Sequence, residues 1–149
     1  MLFTIRNAFV DNELPALYEI ERECNAPTFR WTEPLFRQEM LAARKLNLVW
    51  IASIGNRIAG FLIAAQEGSK ISVETCNVAR LHRRKGVASR LMAACEKTVK
   101  LRGYKEMKLE VYTENPAQVL YFQLGYRVGG FKRNYYGMKL HGISMFKKL

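Results

Sequence analysis

Between Ile71 and Tyr112 the chain changes its apolar period twice. Ile71–Val78 reads as a strand. Ser89–Arg102 reads as a helix with an apolar face of Val87, Leu91, Cys95 and Val99, stopped by Gly103. Met107, Leu109 and Val111 then alternate with Lys108, Glu110 and Tyr112 on a further strand. A strand, a helix and a strand joined by short connections place the two strands parallel in one sheet. That unit commits the chain to a mixed sheet with helices packed on it.

The remaining elements fit around it. Phe3-Thr-Ile-Arg reads as a first strand, and Asp11 or Asn12 can cap a helix over Glu13–Glu23 with Leu14, Leu17, Tyr18 and Ile20 as its stripe. Thr32, with Pro34 just inside, starts a second helix from Glu33 to about Ala43. Leu48–Ile54 and Arg57–Ala65 flank Gly55-Asn56 as a hairpin. After the parallel unit, Pro116 opens a short helix over Ala117–Leu124. Tyr126–Phe131 and Ile143–Phe146 close the sheet as a last hairpin around Arg133-Asn-Tyr-Tyr136. The class expected is α+β, in three layers. With no repeat or linker in 149 residues, one domain spanning residues 1–149 is expected.

Half the chain is apolar (49%), but its longest apolar runs, Leu46–Ile54 and Ile58–Ala65, are far shorter than the roughly 20 residues a membrane-spanning helix needs. Met1–Arg6 alternates like a strand rather than a signal peptide, so a soluble cytoplasmic protein is expected. Cys24, Cys76 and Cys95 are widely separated and only His82 and His141 could join them. The expectation is free thiols, with no disulfide framework and no metal site.

Charge is distributed unevenly. Residues 1–79 carry 8 basic and 9 acidic side chains, residues 80–149 carry 16 and 4, and the whole chain is at +11. The second half is built to meet an anion. Its densest part is Arg83-Arg-Lys-Gly-Val-Ala-Ser89, where a strand ends, a basic glycine turn follows and a helix begins. A helix start offers unpaired N–H groups to an anion, and Gly86 lets the backbone approach it closely. The segment is neither an ATP-binding P-loop nor a dinucleotide-binding GxGxxG.

Arg83-x-x-Gly86-x-Ala88 in this setting resembles the pyrophosphate-binding signature of the GNAT N-acetyltransferases. The likeness continues through Leu109-Glu-Val111, Asn115, Leu120-Tyr121, Leu124-Gly-Tyr126 and Arg133-Asn-Tyr-Tyr136, and more loosely through Ala16–Ile20 and Trp31-Thr-Glu. The combination is similar to the RimI type, which acetylates the α-amino groups of proteins, ribosomal ones among them. Asn115 and Tyr121 stand one residue closer than is usual in the family, and Leu140-His-Gly142 replaces an acidic stretch common in the subfamily.

The resemblance implies a mixed, mostly antiparallel sheet with a central splayed parallel pair and about four helices. It implies acetyl-CoA as cosubstrate, held by Arg83, Arg84, Lys85, Gly86, Val87, Ala88, Ser89 and Asn115 and by the backbone of Cys76, Asn77 and Val78. Transfer would go directly to a primary amine, most simply the N-terminus of a protein. Glu110 would be the base and Tyr121 the acid that protonates the departing thiolate, since a phenol stays protonated at neutral pH. Tyr135 and Tyr136 would flank the substrate's first residues. A nucleophilic Cys76 is not needed in direct transfer, and no histidine is placed to activate it. The expected partner is a protein or peptide N-terminus, with no membrane and no DNA, in a monomer or homodimer. Acetylation of lysine or a small amine or polyamine is the alternative within enzymes. A CoA- or RNA-binding module is the alternative outside them.

Overall fold

A computed structural model describes residues 3–149; Met1 and Leu2, the start of the alternating N-terminal segment, lie outside the described residues. Seven strands form one sheet: β1 (Thr4–Arg6), β2 (Val49–Ile54), β3 (Arg57–Glu67), β4 (Lys70–Val78), β5 (Glu106–Tyr112), β6 (Arg127–Gly137) and β7 (Leu140–Lys148). Four helices accompany them: α1 (Leu14–Cys24), α2 (Glu33–Lys45), α3 (Val87–Leu101) and α4 (Ala117–Gln123). The spatial order is β1-β2-β3-β4-β5-β7-β6, and among the described residues only β4 and β5 pair in parallel. The expected α+β fold with its central parallel pair is therefore the observed one.

The run Leu48–Ala52 is apolar without alternation because both faces of β2 are covered. Leu48, Trp50 and Ala52 join Leu62, Leu91, Cys95, Val99, Met107 and Leu109 in a core beneath α3. Val49 and Ile51 face the other way, with Phe61 and Ile63, into a second core beneath α1 and α2 built on Leu17, Phe36 and Met40. Helix, sheet and helix are thus three layers. Tyr126, fully buried, donates its O–H to Glu96 (2.9 Å), whose other oxygen takes Lys147 Nζ (2.9 Å).

Two local expectations are corrected. Neither Asp11 nor Asn12 caps α1: Asp11–Glu13 is a 3-10 turn, and Asp11 instead pairs with Arg44 Nη1 (2.6 Å). Glu13 ties the turn, taking Val10 N–H (2.9 Å) and the Arg6 guanidinium. The last hairpin also turns later than expected. Arg133–Tyr136 belongs to β6, where the register slips between Lys132 and Gly137, and the reversal comes at Met138-Lys139, with Lys139 at φ 62. Sequence pattern favoured Asn134 as a turn residue. It does adopt φ 54, but as part of a bulge whose side chain accepts the Lys139 N–H (2.8 Å). No helix among the described residues is long and apolar enough to cross a membrane.

Candidate active site

The site begins where β4 and β5 part. They pair at Ile71↔Met107, Ser72↔Lys108 and Val73↔Leu109, and no further. Beyond Val73, β4 keeps its partners on β3, Thr75 with Ile63 and Asn77 with Phe61, while its β5-facing edge is left open. An extended ligand can pair with such an edge as another strand would. Gly60 fits this stretch closely: a Cβ there would lie 2.6 Å from Asn77 O.

Two clefts meet in the gap. One, of about 630 Å³, runs from Cys76, Asn77 and Val78 past Arg83, Arg84, Gly86, Val87, Ala88 and Ser89 to Asn115 and Tyr121. Arg84 and Gly86, both lining this cleft, take left-handed backbone (φ 61 and 80) in the turn that leads into α3. No side chain caps α3, so its first N–H groups face the cleft unpaired, at the positive end of the helix dipole. Arg83 is fixed by Nε donating to Val78 O (3.1 Å) and Nη2 to Cys24 Sγ (3.4 Å). Lys85 belongs to the turn but does not line the cleft. Asn77 is only 6% exposed, and its Nδ2 finds no acceptor among the described residues. His82, also at this cleft, has a buried Nδ1 with no partner among them. Basic groups, an uncapped helix start and an orphaned amide donor beside an open strand edge fit a long polar ligand ending in phosphates. Asn115 uses Oδ1 to receive the Ala117 N–H (2.9 Å), so it caps α4 as well as lining both clefts.

The second cleft, about 520 Å³, continues past Cys76, Asn77 and Tyr121 to Glu110, Glu74 and Glu21 and to Phe29, Trp31, Tyr112 and Tyr136. Glu110 is not a free surface carboxylate. Oε1 takes Lys108 Nζ (2.9 Å) and Lys132 Nζ (3.2 Å), and Oε2 takes the Ser144 hydroxyl. Burial alone would raise its pKa; the hydrogen bonds from Ser144, Lys108 and Lys132 outweigh that and hold it below the ordinary carboxylate value. Tyr121 is the reverse case. Burial pushes its phenol well above 10, its O–H makes no hydrogen bond among the described residues, and its ring stands edge-on to Tyr126. Burial also pushes the Cys76 thiol up to about 12, leaving it a neutral thiol at physiological pH.

Tyr136 meets Phe29 (5.3 Å between ring centres) and Tyr112 (6.3 Å) edge to face at the cleft wall. Tyr135 does not line the cleft; it is 49% exposed and lies under Lys132 Nζ (4.9 Å). Sequence reading missed Cys24, Asn25, Phe29 and Glu21, all contributed by the end of α1 and the loop after it. Glu21 was legible as an anomaly, a charge next to the buried Ile20 on the apolar side of α1. Cys24 ends α1 without belonging to its apolar stripe, and Asn25 and Phe29 lie in the loop and 3-10 turn beyond it, where periodicity is silent.

Fold and cleft together define a coenzyme A-dependent acyltransferase. The chain belongs to the acetyltransferase (GNAT) family, whose sequence profile matches residues 14–126, and acetyl-CoA is therefore its cosubstrate. Among solved structures it is similar to the ribosomal-protein-S18-alanine N-acetyltransferase of Escherichia coli, at 25% identity and a TM-score of 0.84, with 99% of this chain and 94% of that one covered. It is also similar to Ard1 of Thermoplasma volcanium (21% identity, TM-score 0.88, 100% and 99% covered). A third likeness is to the PaiA N-acetyltransferase of Thermoplasma acidophilum in complex with coenzyme A (20% identity, TM-score 0.76, both chains fully covered). A comparison with curated protein sequences finds no significant match.

Proposed function

We propose that the 149 residues act as one catalytic domain that moves the acetyl group of acetyl-CoA directly onto the α-amino group at the N-terminus of a protein, a ribosomal protein being the first candidate. The observation that carries this reading is the second cleft. It leaves the β4–β5 gap between carboxylates and ends at the aromatic wall of Phe29, Tyr112 and Tyr136, so it suits a cationic amine followed by a short stretch of extended chain. The similarity to a ribosomal-protein-alanine acetyltransferase supports the same acceptor.

The chemistry assigned to the chain is as follows. Backbone N–H groups of the open edge of β4 align the thioester arm and draw electron density from its carbonyl oxygen. Glu110 takes the ammonium proton through water. A carboxylate held this low keeps a proton only briefly and passes it on to solvent. The amine nitrogen then bonds to the carbonyl carbon as the C–S bond breaks, Tyr121 donates its O–H proton to the departing thiolate, and the nitrogen gives up its second proton to water, from which the Tyr121 phenolate is reprotonated. Cys76 forms no acyl bond.

The test is thiol release from acetyl-CoA against peptides with free Ala, Ser, Met and acidic N-termini, beside spermidine and a peptide with a blocked N-terminus and an internal lysine. Mass analysis locates the acetyl group. Acetylation of an α-amino group is the expected outcome. Turnover on lysine or spermidine alone overturns the acceptor, and acetyl-CoA binding without any turnover overturns the enzyme.

A further inference from the structure

Glu21 lies on α1, is 3% exposed and lines the acceptor cleft. Its Oε1 receives the Trp31 N–H (3.2 Å) and, more distantly, Asn25 Nδ2 (3.4 Å), which ties the loop after α1 to the helix. Its Oε2 is buried and finds no donor among the described residues. The nearby cations do not supply one. Arg30 spends its Nε on the carbonyls of Arg22 (3.1 Å) and Asn25 (2.8 Å), and neither Arg22 nor Arg30 makes an ion pair with Glu21. Burial raises the pKa of Glu21, the distant arginines and the Trp31 N–H offsetting it only in part.

The other three carboxylates at this cleft differ. Both oxygens of Glu110 are committed to Lys108, Lys132 and Ser144, Glu114 receives the Tyr112 O–H, and Glu74 is exposed to solvent that can hydrate it. Glu21 alone combines burial with an uncommitted oxygen. A buried carboxylate oxygen without a donor is unfavourable until a cation or N–H group arrives, which makes it a place prepared for one.

We infer that Glu21 selects the acceptor: its Oε2 receives an N–H of the incoming ammonium while its Oε1 holds the loop that forms the cleft wall. This rests on the second cleft being the acceptor's, and it names the group that reads the acceptor's charge. It makes Glu21 a specificity residue that touches substrate, distinct from the proton transfer assigned to Glu110.

Glu21→Gln separates the two duties of the side chain. The amide oxygen can still receive the Trp31 N–H, while an NH2 group, itself a donor, replaces Oε2. Calorimetry with CoA present would compare a short peptide beginning Ala-Ser with its propionyl counterpart, identical but lacking the amine. The wild type is expected to favour the amine form about tenfold, the scale of one charge-assisted hydrogen bond, and Glu21→Gln to bring the two within about threefold. CoA affinity should be unchanged. An undiminished preference in Glu21→Gln, or its loss in Glu74→Gln instead, overturns the inference. Should Glu21→Gln fail to fold, Glu21→Asp withdraws the oxygens by one methylene while keeping the charge. The KM for an acceptor amine must then rise with that for acetyl-CoA unchanged, and equal KM values reject the assignment. A wild type that acetylates spermidine but no peptide, with the KM for spermidine raised by Glu21→Gln, refutes the N-terminal acceptor and leaves the role of Glu21 standing.

Discussion

Tyr121 and Glu110 sit eleven residues apart in sequence and are tuned in opposite directions, one kept protonated by burial and the other kept ionised by two lysines and a serine. Tyr121→Phe removes the proton while preserving the ring against Tyr126. It should lower kcat by about a hundredfold, within the usual range for a lost general acid, with little change in the KM for acetyl-CoA. Glu110→Gln should likewise depress the rate of bound complex more than cosubstrate affinity; collapse of acetyl-CoA binding with normal turnover would reject its role. The carboxylates also set a direction for stability against pH. Glu13, lowered by its hydrogen bond from Arg6, and Glu110 stabilise the folded chain above their unfolded value near 4.5, and that stabilisation is lost as pH falls below it. Glu21, raised by burial, acts oppositely: folding becomes less favourable as pH rises from 4.5 through its raised value. Glu21→Gln should therefore flatten the part of the thermal-stability curve that falls as pH rises above 4.5, read by melting temperature across buffers. At this scale the sequence named Glu110 and Tyr121 through a motif. It could not show Lys132 and Ser144 closing on Glu110, because those contacts join β5 to strands more than twenty residues away.

The element whose geometry best suits the phosphates of the cosubstrate is the start of α3. Gly86→Ala meets open space at its Cβ, yet its φ of 80 is unfavourable for any side chain. The expected result is a several-fold weaker acetyl-CoA affinity with a melting temperature lowered by a few degrees, separable by calorimetry and thermal denaturation. Inside the same helix, Leu91→Ala should cost about 2–5 kcal/mol of folding free energy, since Leu91 is fully enclosed between α3 and the sheet. A urea melt checks it. The apolar spacing of α3, the Thr32 cap of α2 and the Gly55-Asn56 hairpin were all legible because each is a short-range pattern with a local physical cause. The β6–β7 turn was not. Its position follows from a register slip between Lys132 and Gly137, and a slip belongs to the pairing of two strands rather than to either one's sequence.

Across the whole molecule, residues 80–149 carry 16 basic against 4 acidic side chains, and Arg83 and Arg84 among them line the first cleft, while the second is lined by Glu21, Glu74, Glu110 and Glu114. The KM for acetyl-CoA should therefore climb as potassium chloride rises from 50 to 500 mM, and kcat should change far less. Because the two clefts meet along Cys24, Asn25, Cys76, Asn77, Asn115, Pro116 and Tyr121 and otherwise run past different residues, both reactants can be bound at once. Initial-rate plots should accordingly intersect rather than run parallel, and either partner should be able to enter first. A long polypeptide could keep its newly acetylated end in place while spent coenzyme leaves by the other door. That turns a simple parting of two strands into a rule about the order of events in a catalytic cycle.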